Sequence, residues 1–185
     1  MKKYLLCIAC CISMLQITQA QVNKYQKVTS KNFNNFYKIS DDLYRAEQPS
    51  KKGFKELEAL GIKTILNLRR LRNDNNKAKA TNLKLEHIAI KTKILDEDDI
   101  IKSLKIIKNE EQPVLVHCWH GSDRTGTIVA AYRMVIQNWS KEDAIAEFRY
   151  KPFGYHEKMY PNLLVLLQNL NVKEIQQQLK IKPSN

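Results

Sequence analysis

Residues 114–126 read Val114-Leu115-Val116-His117-Cys118-Trp119-His120-Gly121-Ser122-Asp123-Arg124-Thr125-Gly126 and contain the most informative pattern of the chain. Its first three residues form a short aliphatic run, typical of a strand that is buried on both faces of a parallel sheet. A helix is predicted from about residue 125 to residue 137, soon after the polar loop. A strand, a tight loop and a helix in this order predict backbone N–H groups that turn inward at the positive end of the helix, where an anion can bind.

The rest of the chain alternates apolar runs with amphipathic segments. Ser50, Asp96 and Ser140 stand where helices begin, and Gly61 and Pro113 stand where helices end. This alternation predicts one α/β domain with a mostly parallel central sheet flanked by helices on both faces. Strands are predicted over residues 42–45, 62–68, 83–90 and 114–116, and helices over residues 50–60, 76–82, 96–112, 125–137, 140–148, 161–170 and 172–181.

The first twenty residues have the three parts of a secretory signal peptide. Lys2 and Lys3 give a positive start, residues 4–17 are mostly apolar, and Thr18-Gln19-Ala20 resembles a cleavage site. The apolar part is shorter than the ~18–20 residues of a spanning helix. We therefore expect cleavage after Ala20, export to the periplasm and a catalytic domain over residues 21–185. Lipid attachment at Cys10 or Cys11 is the less favoured alternative.

Composition narrows the classes of partner. The 185 residues carry 31 Lys and Arg against 19 Asp and Glu, a net charge of +12, which becomes +10 when residues 1–20 are removed. Positive charge favours anionic substrates. It is the only feature that points to nucleic acid, so no nucleic-acid partner is predicted. No later apolar run is long enough to span a membrane, so stable membrane insertion is not expected. Residues 21–36 are polar and are expected to pack loosely.

Cys118 and Arg124 bracket five residues between the predicted strand and helix, and Cys118 is the only cysteine outside residues 1–20. A loop that binds an anion also stabilises a thiolate, so Cys118 is the candidate nucleophile. Arg124 can hold two phosphate oxygens with its planar guanidinium. Gly121 permits a close approach of the backbone, and the Thr125 hydroxyl can hydrogen-bond the sulfur as a leaving group.

The pattern His117-Cys118-x5-Arg124-Thr125-Gly126 resembles the signature of the cysteine-based protein tyrosine phosphatases. The chain after residue 20 resembles their small dual-specificity branch, especially its exported bacterial members. Residues 43–50 resemble the first segment of that subgroup, and residues 153–156 resemble its late loop. The resemblance implies hydrolysis of phosphotyrosine, and also of phosphoserine or phosphothreonine, in a protein or a small phosphomonoester. The reaction passes through a cysteinyl-phosphate and uses no metal or other cofactor.

The resemblance also assigns roles to single residues. The family places its general acid, an aspartate, soon after the preceding strand, where this chain has Lys91 and Thr92. The nearest carboxylates are residues 96–99, and Asp96 is the candidate acid, although capping of a helix explains the same residue. Cys118 attacks phosphorus, His117 and Thr125 support the loop, and the phosphate is bound by Trp119, His120, Gly121, Ser122, Asp123 and Arg124.

Two other phosphate functions share this loop. An inositol-phosphate or phosphoinositide phosphatase uses the same Cys loop, and Lys91 and Lys93 near its mouth suit such polyanions. A phosphate-binding module without catalysis would lack a carboxylate in the pocket, but intact Cys118 and Arg124 count against it.

Two further classes fit less of the pattern. A sulfurtransferase also places a cysteine loop at a strand end, but the continuation Arg124-Thr125-Gly126 argues against it. His117, Cys118 and His120 could ligate a metal, but they lie in one tight loop with no second cluster of ligands.

Overall fold

The computed structural model describes residues 25–181, which form a six-stranded sheet in the order β1-β2-β3-β6-β4-β5. Strands β3, β6, β4 and β5 are parallel, whereas β2 pairs antiparallel with β3 and β1 pairs antiparallel with β2. The strands are β1 (Gln26–Lys27), β2 (Tyr37–Lys38), β3 (Leu43–Ala46), β4 (Thr64–Arg69), β5 (Lys84–Ile90) and β6 (Val114–His117).

Helices cover both faces of this sheet, as the sequence predicts. They are α1 (Lys51–Ala59), α2 (Asn75–Ala78), α3 (Glu97–Asn109), α4 (Asp123–Val135), α5 (Lys141–Phe148), α6 (Pro161–Asn169) and α7 (Val172–Gln178), with 3-10 turns at Thr92–Ile94 and Lys151–Phe153. Alternate residues of a strand point to opposite faces. Leu115 therefore packs in the core under α1 and α2, while Val114 and Val116 pack in the larger core under the other helices. The predicted α/β class with a mostly parallel sheet is confirmed.

The predicted helix starts are also correct. The Ser50 hydroxyl accepts from the Gly53 N–H, the Asp96 carboxylate from the Asp99 N–H and the Ser140 hydroxyl from the Asp143 N–H, each at 3.0 Å. These bonds satisfy N–H groups that a first helical turn leaves without a partner. They fix where α1, α3 and α5 begin.

Two expectations fail. Residues 25–36 are not loosely packed, because Phe33 and Phe36 are buried in the core under α1. Two aromatic residues among polar ones show no strand or helix period, so no sequence pattern predicts their burial. The helix predicted over residues 76–82 is the single turn α2, which ends at Ala78. Residues 1–20, with the proposed signal peptide, lie outside the described part of the chain.

The parallel strands bring four carboxyl ends to one edge of the sheet, the edge at which ligands bind in such folds. β6 ends there at His117 and α4 begins at Asp123, so residues 118–122 form the loop between them, called the Cys loop below. Within residues 25–181, no helix is both long and apolar enough to cross a membrane.

Candidate active site

The carbonyl groups of the Cys loop are held by the surrounding protein. Four consecutive carbonyl oxygens, of residues 118–121, accept hydrogen bonds from outside the loop. In order, the donors are the His117 ring at 3.1 Å, the Gln48 backbone N–H at 3.1 Å, the Asn35 side-chain amide at 2.9 Å and the Arg45 guanidinium at 2.6 Å. No acceptor within residues 25–181 takes the backbone N–H groups of residues 119–122. With the carbonyls engaged outside, these N–H groups are available to an anion inside the loop.

Gly121 is required for this shape. Its φ of +70° lies in the left-handed region, and a Cβ there would come within 2.6 Å of the Ala46 carbonyl. The backbone of the Cys loop therefore packs directly against the backbone at the end of β3, with no space for a side chain between them. Any side chain at this position would push the Cys loop off the sheet.

Arg45 supports the loop from below. It is 1% exposed, donates to the Gly121 carbonyl and lies 4.0 Å from the centre of the Phe153 ring. Burial lowers the pKa of this guanidinium to about 10. Its place at the end of β3, under the loop and away from the cavity described below, makes it a positioning residue.

Cys118 follows β6 directly and is 3% exposed. It is the free cysteine of the described chain. The Thr125 hydroxyl, one turn into α4, is fully buried and has no hydrogen-bond partner among residues 25–181. An unpartnered hydroxyl next to the loop is available for the role predicted for it, a hydrogen bond to the sulfur.

Arg124 bridges the ends of two strands. Its Nη1 donates to the carbonyls of Leu68 and Ile90, at 3.0 and 3.3 Å. Nε and Nη2 donate to no atom of the described residues, so this edge of the guanidinium can bind two oxygens of one phosphate. Arg124 also lines a cavity of about 180 Å³, whose other walls are Arg70, Ile90, Lys91, Thr92, Lys93 and Tyr160.

A chain of hydrogen bonds, buried at its Asp74–His117 end, runs behind the Cys loop. Arg69 donates to Gln48 Oε1 at 2.6 Å, Gln48 Nε2 donates to one oxygen of Asp74 at 2.8 Å, and His117 Nε2 meets the other oxygen at 2.8 Å. Burial raises the pKa of Asp74, but the hydrogen bond and charge of His117, with the bond from Gln48, outweigh it, and the pKa of Asp74 is lowered overall. Asp74 is thus ionised beside the ring.

Both ring nitrogens of His117 face acceptors. Nδ1 lies 3.1 Å from the carbonyl of Cys118 and Nε2 lies 2.8 Å from the carboxylate of Asp74. The ring therefore ties the Cys118 carbonyl to the Asp74 carboxylate and joins the Cys loop to the hydrogen bonds behind it.

The two carboxylates predicted for the site, Asp96 and Asp123, do not line the cavity beside Arg124. Asp96 is exposed, and one of its oxygens caps α3. None of the residues lining the cavity beside Arg124 is a carboxylate. Asp123 is inside the loop-to-helix junction, but its carboxylate accepts from the backbone N–H of His156 at 2.9 Å and lies 3.0 Å from that ring. Asp123 ties residues 154–156 to α4, so the part it can offer a phosphate is its backbone N–H.

The other predicted binding residues surround the loop differently. Trp119 is 52% exposed and its ring lies 4.2 Å from the Arg69 guanidinium. His120 is exposed, 6.0 Å from the His156 ring, whereas Ser122 is buried. Trp119 and His120 can therefore contact a substrate with their side chains, and Gly121 and Ser122 lie where their backbone can.

The sequence alone assigns no role to Gln48, Arg69 or Asp74. Their link to His117 joins positions up to 69 residues apart, which no local pattern reveals. One signal was present: Gln48, Arg69 and Asp74 all stand at or just after strands that end at the Cys loop edge. Polar residues there are placed for ligands or for the loop that binds them.

Comparisons with known proteins agree with this geometry. Residues 28–184 match the model of a family described as the tyrosine phosphatase family. The dual specificity protein phosphatase TpbA of Pseudomonas aeruginosa is 30% identical over 129 residues, which cover 68% of this chain and 58% of TpbA. Inositol diphosphatase DSP5 of Arabidopsis thaliana is 32% identical over 130 residues, which cover 62% of this chain and 60% of the relative. The chain thus spans under two thirds of the length of both relatives.

Solved structures show the same fold. A crystal structure of P. aeruginosa TpbA gives a TM-score of 0.76 at 23% identity, over 86% of this chain and 98% of that chain. TpbA has also been crystallised in complex with pTyr. The core catalytic domain of the PP-IP phosphatase SIW14 of Saccharomyces cerevisiae, in complex with citrate, gives a TM-score of 0.66 at 26% identity, over 84% and 98% of the two chains.

Proposed function

The chain belongs to the tyrosine phosphatase family, and we propose that it hydrolyses phosphomonoesters through a cysteinyl-phosphate intermediate, with phosphotyrosine as its main substrate class. The observation that carries this proposal is the Cys loop, where four carbonyls are engaged from outside and the N–H groups of residues 119–122 are available around Cys118. The dual specificity activity and pTyr complex of TpbA support the choice of substrate.

The proposed reaction has two steps. The Cys118 thiolate attacks phosphorus, an S–P bond forms, and the P–O bond to the leaving alcohol or phenol breaks as that oxygen takes a proton. Water then attacks phosphorus, the S–P bond breaks and phosphate leaves. Arg124 and the loop N–H groups stabilise the negative charge of the transferring group in both steps. The Thr125 hydroxyl stabilises the sulfur as it leaves.

Asp96 is the proposed proton donor. In support, it is the first carboxylate after β5, whose last residue Ile90 accepts a bond from Arg124. Capping of α3 engages Oδ1 alone, so Oδ2 is open to solvent and to a leaving group. For this role, the turn at residues 92–94 has to shift so that the Asp96 carboxylate reaches the cavity beside Arg124.

A second function is favoured by one observation. Four cations, Arg70, Lys91, Lys93 and Arg124, line the small cavity beside the Cys loop. So many positive charges suit a polyanion better than a single phosphate. An inositol-phosphate or phosphoinositide phosphatase is therefore the alternative, and the relatives named inositol diphosphatases support it.

One assay separates the two functions. Turnover of a phosphotyrosine peptide, a phosphoserine peptide and inositol hexakisphosphate is measured side by side, with Cys118→Ser as the blank. We expect the phosphotyrosine peptide to give the highest kcat/KM. A higher value for the inositol phosphate would replace the main proposal by its alternative, and no turnover above the blank would refute both.

We also propose that residues 1–20 are a signal peptide and that the enzyme is periplasmic. The support is the positive start, the apolar stretch and the cleavage pattern at Ala20. Intact-mass spectrometry of protein exported by a Gram-negative host should give a chain that begins at Gln21. A mass that includes lipid on Cys10 or Cys11, or an uncut chain in the cytoplasm, would refute this proposal.

A further inference from the structure

A second and larger recess adjoins the Cys loop on the side of Trp119. It has a volume of about 620 Å³ and is called the Trp119 groove below. Its walls come from Trp119, from the loop after β4 and from the start of α2. The lining residues are Arg69, Leu71, Arg72, Asn73, Asn76, Lys77 and Trp119.

The groove wall is held in place by hydrogen bonds. The buried Asn67 side chain accepts from the Arg69 N–H at 2.8 Å and donates to the Arg72 carbonyl at 2.9 Å, which fixes both ends of the loop between them. Arg69 is bonded to Gln48 and stacked on Trp119 at 4.2 Å. Its guanidinium is therefore positioned before any ligand arrives, which lowers the entropy that binding costs.

The charged residues that line the groove are all positive. Arg69, Arg72 and Lys77 are cations, and none of the seven lining residues is acidic. The nearest carboxylate, Asp74, is 3% exposed and already engaged by Gln48 and His117. No ion pair in the described chain includes any of the three cations. The two groove asparagines, Asn73 and Asn76, add neutral hydrogen-bond donors.

Arg69 interacts electrostatically both with a residue of the groove and with residues of the Cys loop region. Burial lowers the pKa of Arg69, and the charges of Arg72 and Arg124 lower it further, while Asp74 and Cys118 act in the opposite direction. Arg69 thus lies close enough to interact with the nucleophile on one side and with the groove cation Arg72 on the other. When a phosphate of the substrate is bound in the Cys loop, an anionic group of the same substrate that extends toward Trp119 lies close to Arg69.

We propose that the Trp119 groove is a second anion subsite, which binds another phosphate of the same substrate while the first phosphate lies in the Cys loop. Arg72 and Lys77 supply charge, and the Trp119 ring offers a flat apolar surface to the part of the substrate between the two phosphates. This inference rests on the proposed phosphatase function and narrows it to substrates with at least two phosphates. An inositol polyphosphate and a doubly phosphorylated peptide present the same chemistry.

The test compares substrates with one phosphate and with several. Wild type, the double variant Arg72→Ala/Lys77→Ala and the matched control Lys79→Ala are assayed with p-nitrophenyl phosphate, a peptide with two phosphotyrosines and inositol hexakisphosphate. Lys79 is exposed, lies two residues from Lys77 and does not line the groove. For each polyphosphorylated substrate, its kcat/KM is divided by the kcat/KM for p-nitrophenyl phosphate. We expect the double variant to lower this quotient roughly tenfold for one of the two substrates, mostly through a higher KM. Lys79→Ala should change it less than twofold.

Each outcome decides the inference. A loss confined to the peptide arm or to the inositol arm supports the subsite and identifies its source of phosphate. If the double variant and Lys79→Ala give equal values with both the peptide and inositol hexakisphosphate, the subsite is refuted while the phosphatase function stands. If wild type hydrolyses nothing, the function fails by itself. The groove is then tested by calorimetry of inositol hexakisphosphate on the Cys118→Ser protein, where binding unaffected by the two added substitutions overturns it.

Discussion

Replacement of Asp74 by Asn tests the chain of hydrogen bonds behind the Cys loop. The two oxygens of Asp74 serve two donors, Gln48 Nε2 and His117 Nε2, each at 2.8 Å. Asn has one acceptor oxygen for Gln48 Nε2, and its NH2 group then faces His117 Nε2, which can accept from it only in the tautomer that carries its proton on Nδ1. Gln48 cannot relieve this by turning its amide, because its oxygen accepts from Arg69 at 2.6 Å.

The expected cost follows from that count. Two hydrogen bonds to a carboxylate become bonds to a neutral amide, which costs about 1–3 kcal/mol, and at about 2 kcal/mol the Tm of a domain of this size falls by roughly 4–8 °C. The lowered pKa of Asp74 fixes the pH dependence. Its contribution to stability is present above the unfolded pKa of about 3.9 and disappears as pH falls through the lower folded value. The Tm gap between wild type and Asp74→Asn should therefore close in acid.

The reactivity of Cys118 supplies a second measurement. Without the Asp74 carboxylate the His117 ring loses its charged hydrogen-bond partner, so the bond of this ring to the Cys118 carbonyl is held less firmly. We expect a changed rate of alkylation of Cys118 by iodoacetamide and a kcat about tenfold lower. Asp98→Asn, which removes the same charge from an exposed position on α3, serves as the control. A Tm gap that persists in acid together with unchanged alkylation would refute this account of the chain.

Four further predictions follow from the same geometry. Cys118→Ser should lose more than about a thousandfold in kcat yet still bind phosphate or vanadate, and retained turnover would exclude this nucleophile. Arg124→Lys keeps the charge but loses the two-pronged contact, so kcat should fall much more than KM rises; wild-type kinetics would show that Arg124 does not hold the phosphate. Asp96→Asn, which preserves the cap, should lower kcat about a hundredfold for phenyl phosphate and little for p-nitrophenyl phosphate, whereas equal small losses would leave Asp96 as a cap alone. Burial, helped by Tyr150, raises the pKa of Tyr25 to about 12, so stability should fall between pH 10 and pH 12 in thermal melts, and a Tyr25→Phe variant should lose less.

The parts of the fold that could be predicted are those encoded locally. The run at residues 114–116 and the caps at Ser50, Asp96 and Ser140 each depend on a few adjacent residues, and the structure has all of them. The parts that could not be predicted depend on distant contacts. Phe33 and Phe36 are buried because the α1 face covers them, and α2 stops early although its residues carry no stop signal before Asn82.

The site divides in the same way. The spacing of Cys118 and Arg124 predicts phosphate chemistry, because a phosphate-binding loop needs both residues at fixed positions beside a helix. The supports of the loop come from Asn35, Arg45 and Gln48, which reach it only after the sheet has formed. A buried arginine under a loop carbonyl has no sequence signature, because an exposed arginine at a strand end reads the same.

Chemistry and specificity are placed on different parts of this molecule. The carbonyls of the Cys loop are bonded to Asn35, Arg45, Gln48 and His117, and none of these four residues lines the small cavity or the Trp119 groove. The residues proposed to meet the rest of a substrate lie on the loop after β4, where Arg70 lines the small cavity and Arg72 lines the Trp119 groove. Substitutions there leave the bonds around Cys118 in place. Substrate choice in this chain can therefore change independently of the reaction, which is why a motif of ten residues predicts the reaction and leaves the substrate to be measured.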